Sequence, residues 1–166
     1  MANRMEENVA KEGKTASSGL TGVFKTLAKQ HSEAGSLLKK AEGISEPSKR
    51  ADEWKKIRVE LLSHEKAEMR EIYPVLRQHA ETKALAEQHD SEAKDLESMI
   101  LKLDGTDTSS TGWLDLLKKI TDGVVRHAKE EENEIFPKAQ QTLGKPEAER
   151  LDARFLQTQK EIKNQL

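Results

Sequence analysis

Cysteine is absent from the chain, which removes disulfide scaffolds, thiolate metal sites, iron–sulfur clusters and cysteine nucleophiles together. A metal bound here must be held by histidine and carboxylate. Long apolar runs are missing too. None approaches the roughly 20 residues needed to cross a bilayer, and the opening MANRMEENVAKEGKTASSG contains no apolar signal core. A soluble, cytoplasmic protein with no membrane partner is expected. There is no surplus of positive charge. The 28 Lys and Arg stand against 30 Asp and Glu, a net charge of -2, which argues against nucleic acid as a partner. Several catalytic motifs are also lacking. HEKAE lacks the second histidine of HExxH, and no histidine has a glutamate three residues before it; GxGxxG, Walker and GxSxG loops do not occur.

What the 166 residues do contain is charged (35%) and hydrophobic (34%) side chains in near-equal parts, with only 4% aromatic and a mean hydropathy of -0.82. This is the composition of one polar, all-helical domain with narrow apolar stripes. Residues 1–18 are small and polar and read as a flexible N-terminal arm, leaving 19–166 as the folded domain. A first helix carries Leu20, Phe24, Leu27 and Leu38 and stops before Gly43. A second starts at Pro47, carries Trp54, Ile57, Leu61, Ile72 and Val75, and ends near 79–82 with Pro74 as a kink. Leu85, Leu96, Met99, Ile100 and Leu103 mark a third, and DGTDTSSTG (104–112) is a loop. Trp113, Leu117, Ile120, Val124 and Ile135 mark a fourth. After Gly144 and Pro146 a shorter helix, about 146–164, carries Leu151 and Phe155. The expected fold is all-α: an antiparallel up-down-up-down four-helix bundle with an additional C-terminal helix.

The stripes are interrupted where they should be most apolar. In helix two the inward series runs Trp54, Ile57, Leu61, His64, Glu68, Ile72, Val75. In helix four it runs Trp113, Leu117, Ile120, Val124, His127, Glu131, Ile135. His31 follows Leu27 by four and His89 follows Leu85 by four. Four imidazoles and two carboxylates therefore converge on one axis. A four-residue step advances about 6 Å along a helix and about 40° around it, so both members of each His-x-x-x-Glu pair can reach one metal pair. A His/carboxylate set suits iron, manganese or zinc. Burying two carboxylates without cations costs several kcal/mol each.

An internal repeat supports this reading. At an offset of 63, HEKAEMREIYP (64–74) aligns with HAKEEENEIFP (127–137) with six identities in eleven, and KQHSEA around His31 resembles EQHDSEA around His89. Two similar hairpins would each supply two histidines and one carboxylate, and two metals are the natural count. His89 and His127 each lie about 15 residues from the 104–112 loop and should be level; for His31 and His64 the counts leave a mismatch near 7 Å. His79 and the Glu130, Glu132 and Glu134 side chains are expected at the surface, and Pro74 and Pro137 at bends.

In these residues the chain resembles the hemerythrin-like (HHE cation-binding) family, whose pattern is His, HxxxE, His, HxxxE on four successive helices. His31, His64 with Glu68, His89, and His127 with Glu131 match it over roughly residues 20–140. The resemblance implies two non-heme iron ions with an oxo or hydroxo bridge, the four histidines as terminal ligands and Glu68 and Glu131 as bridges. Manganese or zinc are alternative metals. It further implies binding or sensing of O2, nitric oxide or peroxide. Oxygen carriers of the family have a second histidine where this chain has Ala93, and HxxxxD where it has HxxxE. With four histidines each iron would have about five ligands, leaving open positions. Glu65 and Glu92 are the residues at hand to add a ligand, although Glu65 by itself is expected to face solvent. The alternatives are a di-iron oxidase or peroxidase-like enzyme, an iron-handling protein, or a metal-free interaction module.

Overall fold

The computed structural model describes residues 19–166, so the N-terminal arm at 1–18 lies outside the described residues. Helix α1 spans Gly22–Glu42 and α2 Pro47–Glu71, followed by a single turn, α3, at Tyr73–Leu76. Helix α4 spans Lys83–Asp104 and α5 Thr111–Glu130. A π-helical turn, Glu131–Ile135, joins α5 to α6 at Phe136–Leu143, and α7 spans Lys145–Lys163. No strand occurs among the described residues. Pro47 opens α2 from its first turn, where the missing N–H has no helical partner in any case. Ser110 caps α5 by accepting from the Trp113 amide at 3.2 Å.

The two copies of the Ile-aromatic-Pro triplet leave their helices in different ways. Proline has no N–H and its ring clashes with the carbonyl four residues back. In the first copy the helix breaks at Ile72 and restarts as α3, with Pro74 in its first turn. In the second copy the chain widens into the π turn, and Pro137 starts α6. The second helix therefore ends at Glu71 rather than near 79–82, because Pro74 stops it. The mismatch expected between His31 and His64 also disappears: their rings are 5.0 Å apart. Ile44 still turns with the end of α1, its N–H donating to the Ala41 carbonyl at 3.1 Å, and Glu46 is extended just before α2.

Helix α7 packs along both α1 and α2, α5 packs against α1 and α4, and α2 also touches α4. The apolar core is split in two. One cluster gathers Leu20, Phe24, Leu27, Tyr73, Leu76, Phe136, Leu151 and Phe155. The other gathers Leu38, Trp54, Ile57, Leu61, Ile100, Trp113, Leu117 and Ile120. The histidine and glutamate side chains occupy the layer between them. In α4 the buried stripe is Ala86, His89, Ala93, Ile100 and Leu103, while Leu85, Leu96 and Met99 are only half-buried. Reading large apolar residues alone thus missed Ala86 and Ala93, which line the same stripe.

One close approach fixes how α7 meets α1. Gly22 has φ +55°, and a Cβ there would lie 2.4 Å from the Ala148 carbonyl carbon. Gly22→Ala is expected to destabilise the chain by about 2 kcal/mol or more, from a left-handed backbone and a clash with main chain together. Urea unfolding measures this, and an unchanged midpoint would show that the two helices separate readily.

Candidate metal centre

Helical spacing places the six candidate side chains in one layer. All four imidazoles turn Nε2 toward the carboxylates. His127 Nε2 is 2.8 Å from Glu131 Oε1 and His31 Nε2 is 3.3 Å from the same oxygen. His64 Nε2 is 3.3 Å from Glu68 Oε2. His89 Nε2 is 3.7 Å from Glu131 Oε2 and 2.9 Å from His127 Nε2. Three of the Nδ1 atoms face outer groups, and the fourth, on His89, is buried without a hydrogen bond. His64 Nδ1 donates to Gln30 Oε1 at 2.8 Å, His127 Nδ1 meets Glu92 Oε2 at 3.2 Å, and His31 Nδ1 lies 3.6 Å from Glu132 Oε1. One ring nitrogen turned to the centre and the other held by an outer group is the usual arrangement of metal-binding histidine.

Sequence reasoning placed Glu65 in solvent, and the structure corrects this. Glu65 is buried, with Oε1 3.5 Å from His89 Nε2 and Oε2 3.9 Å from His127 Nε2. Glu65, Glu68, His89 and His127 each offer a ligand atom, all within 4.8 Å of one another. His31, His64 and Glu131 stand outside that group of four but adjoin it through the contacts above. The missed signal was positional. Glu65 follows His64 directly and is 100° from it on the helix, which points it at the α4–α5 side of the layer instead of into water. His79, in the turn after α3, is half-buried and lines a groove with Arg70, Arg150 and Arg154 instead of joining the cluster.

Much of this cluster is unsatisfied. Glu68 and Glu131 are fully buried. Both Glu68 oxygens, Glu131 Oε1, Glu65 Oε1, His64 Nε2 and His31 Nε2 are buried without a hydrogen bond. Buried polar atoms ordinarily have partners, and so many orphaned nitrogen and oxygen donors facing one point fit a hard or borderline divalent cation. Electrostatics agrees. Burial drives the Glu68 carboxyl well above the usual range, and the Glu131 charge pushes the same way. Burial also raises Glu65 to about 7. For Glu131 burial is outweighed by His127 and His31, which hold its carboxylate well below the ordinary value. Burial lowers His64 to about 3 and His89 to about 4. It acts the same way on His31 and His127, but there the carboxylates, Glu131 foremost, win and lift them to about 9 and about 10.

The aromatic members of the repeat cross over between the two halves. Tyr73, from the first half, stacks on His89 at 3.7 Å, and Phe136, from the second, stacks on His31 at 5.8 Å. The Tyr73 hydroxyl then donates to Glu131 Oε2 at 2.8 Å, a contact that Phe136 cannot supply. The position of an aromatic in a helical repeat does not show which ring it covers, so neither stack is legible in the sequence.

Fold and site together define a helical protein with a buried His/Glu cluster of metal-ligand geometry. The Hemerythrin HHE cation binding domain matches residues 23–139, and the chain belongs to that family. No curated protein and no solved structure matches it. No helix of the described residues is long and apolar enough to cross a membrane.

Proposed function

We propose that the protein binds two iron ions at this layer and uses them to bind or sense O2, nitric oxide or peroxide. The observation that carries the reading is the convergence of four Nε2 atoms on buried carboxylate oxygens that have no other partner. His31, His64, His89 and His127 would hold the ions through their imidazoles, Glu68 and Glu131 through carboxylates shared between the two halves, and Glu65 would add a ligand on the His89–His127 side. Iron would supply one-electron redox chemistry and an open position for a small ligand. Around it the chain orients the imidazoles through Gln30, Glu92 and Glu132, and the Tyr73 hydroxyl donates a hydrogen bond to Glu131. In the same reading α1, α2, α4 and α5 form the antiparallel up-down-up-down bundle, supported by the common level of their imidazoles.

Anaerobic iron titration, then exposure to O2 or nitric oxide under absorption spectroscopy, tests the proposal. Two irons per chain and a visible band that His64→Ala with His127→Ala abolishes are expected. Less than one metal per chain after iron-replete purification, or a band that survives both substitutions, would overturn it.

Metal uptake should also release protons. Ligands bind as neutral imidazole and ionised carboxylate, yet at neutral pH the metal-free cluster keeps protons on His31 and His127, and burial shifts Glu68 and Glu65 toward the protonated form. At least about two protons per chain should leave on loading. Because the metal-free form is the more protonated one, affinity rises with pH through the range up to about 10 and falls in acid. Indicator-dye titration in weak buffer measures the release; uptake without it would contradict the assigned ligands.

A second reading, an oxidase or peroxidase-like enzyme, is favoured by one feature: a cavity of about 810 Å3 opens onto His31, His64, His127 and Glu65. Turnover of peroxide, as opposed to stoichiometric binding, separates the two.

A further inference from the structure

The cavity beside the histidine layer is far larger than a diatomic ligand requires. At about 810 Å3 it falls within the range of sites that hold whole organic molecules, whereas one water occupies about 30 Å3 of liquid. Its floor is formed by His31, His64, Glu65 and His127. Its walls are Ala34 and Leu37 of α1, Leu61 of α2, Leu96 of α4 and Val124 of α5, so it reaches through the α1–α2 gap to the helices behind. From His31 to Lys40 on α1 is nine residues, and from His64 back to Lys56 on α2 is eight. Both correspond to about 12 to 14 Å along the bundle.

The far end carries charge. Lys40 Nζ and Lys56 Nζ both reach the carboxylate of Glu53, at 3.4 and 3.6 Å, so these three groups leave one positive charge in excess. The acidic groups nearby are already paired, Glu60 with Lys163 at 2.8 Å and Glu33 with Lys29 at 3.7 Å. A partner helix, about 10 Å across, is too wide to pass between α1 and α2 to Leu96 and Val124. An aliphatic chain is not.

We propose that this cavity binds an amphipathic aliphatic monocarboxylate, its head at Lys40 and Lys56 and its tail lying along Leu37, Leu61, Leu96 and Val124 toward the histidines. This deepens the function proposed above and rests on it only for what the tail approaches. A bound tail lines the route to the metals with hydrocarbon and sets which oxidants reach them.

Calorimetric titration of the full chain, metal-free and zinc-loaded, with decanoate, acetate and decanol tests the proposal. Decanoate should bind at least about a hundredfold more tightly than acetate, since the methylenes that acetate lacks would be buried against apolar walls. It should also bind more tightly than decanol. Lys40→Glu with Lys56→Glu, both on exposed side chains, should weaken decanoate about tenfold and leave decanol unchanged. Leu37→Trp should block decanoate while metal loading persists. Decanoate no tighter than acetate or decanol, or indifferent to the lysine reversals, would overturn the proposal. Decanoate binding by a chain that takes up no metal would sink the iron reading and leave the cavity assignment standing; the reverse pattern would sink the cavity assignment alone.

Discussion

Glu68→Leu should make the metal-free chain harder to unfold while depriving it of metal. Glu68 is fully buried and neither oxygen has a hydrogen-bond partner. Burial and the Glu131 charge keep its carboxyl protonated well above the usual range, so folding without metal leaves a desolvated polar group unpaired. Leucine has similar bulk and no such penalty, and the expected gain is about 1–3 kcal/mol. With metal the order reverses. Cations that bind only the native state add about 4 kcal/mol at a thousand times their Kd, and the variant forfeits this. Urea unfolding in chelator and in excess metal gives both numbers. A variant less stable than the parent in chelator would show that Glu68 makes a favourable contact without metal. One that still loads two ions would remove Glu68 from the ligand set.

Gln30→Leu is expected to lower metal affinity by about 10- to 100-fold, against a change in metal-free stability of only about 1 kcal/mol. Gln30 Oε1 accepts from His64 Nδ1 at 2.8 Å and from Gln159 Nε2 at 2.9 Å, while Gln30 Nε2 donates back to Gln159 Oε1 at 2.9 Å. The amide pair keeps the proton on His64 Nδ1 and leaves Nε2 bare toward Glu68. Gln159 lies on α7, beyond the 23–139 family match, so the C-terminal helix is part of what orients the site. Gln159→Ala should weaken metal binding in the same direction and less strongly, since Gln30 remains. Chelator competition measures the affinities, and the nitrogen NMR signals of His64 report the tautomer. An unchanged tautomer with unchanged affinity in both variants would reduce the pair to packing.

Periodicity placed His64 with Glu68 and His127 with Glu131 on inward faces, because both pairs sit in stripes of large apolar residues that have only one way to face. The repeat also exposed the common plan of the two halves. Glu65 and Glu53 were not legible. Each is a charged residue one step off its stripe, and only the packing of neighbouring helices decides whether such a position is wet. Ala86 and Ala93 of α4 were missed for a related reason: small residues carry little hydrophobic signal, yet they are what close helix contact needs. The two Ile-aromatic-Pro triplets were read alike and ended differently, one as a break and one as a π turn, since local sequence does not specify how a helix absorbs a missing N–H.

By itself the sequence determined that this chain is helical, that any metal must be held by nitrogen and oxygen ligands, and which histidines and glutamates share a helix face. Those are consequences of residue type and of a 3.6-residue period. Tertiary structure alone decided that Glu65 joins the cluster, that Tyr73 and Phe136 cover histidines of the opposite half, that α7 steadies His64 through two glutamines, and that a large apolar cavity opens beside the histidines. Each of these depends on contacts between helices far apart in sequence, and distance in space is set by packing, which no local pattern records.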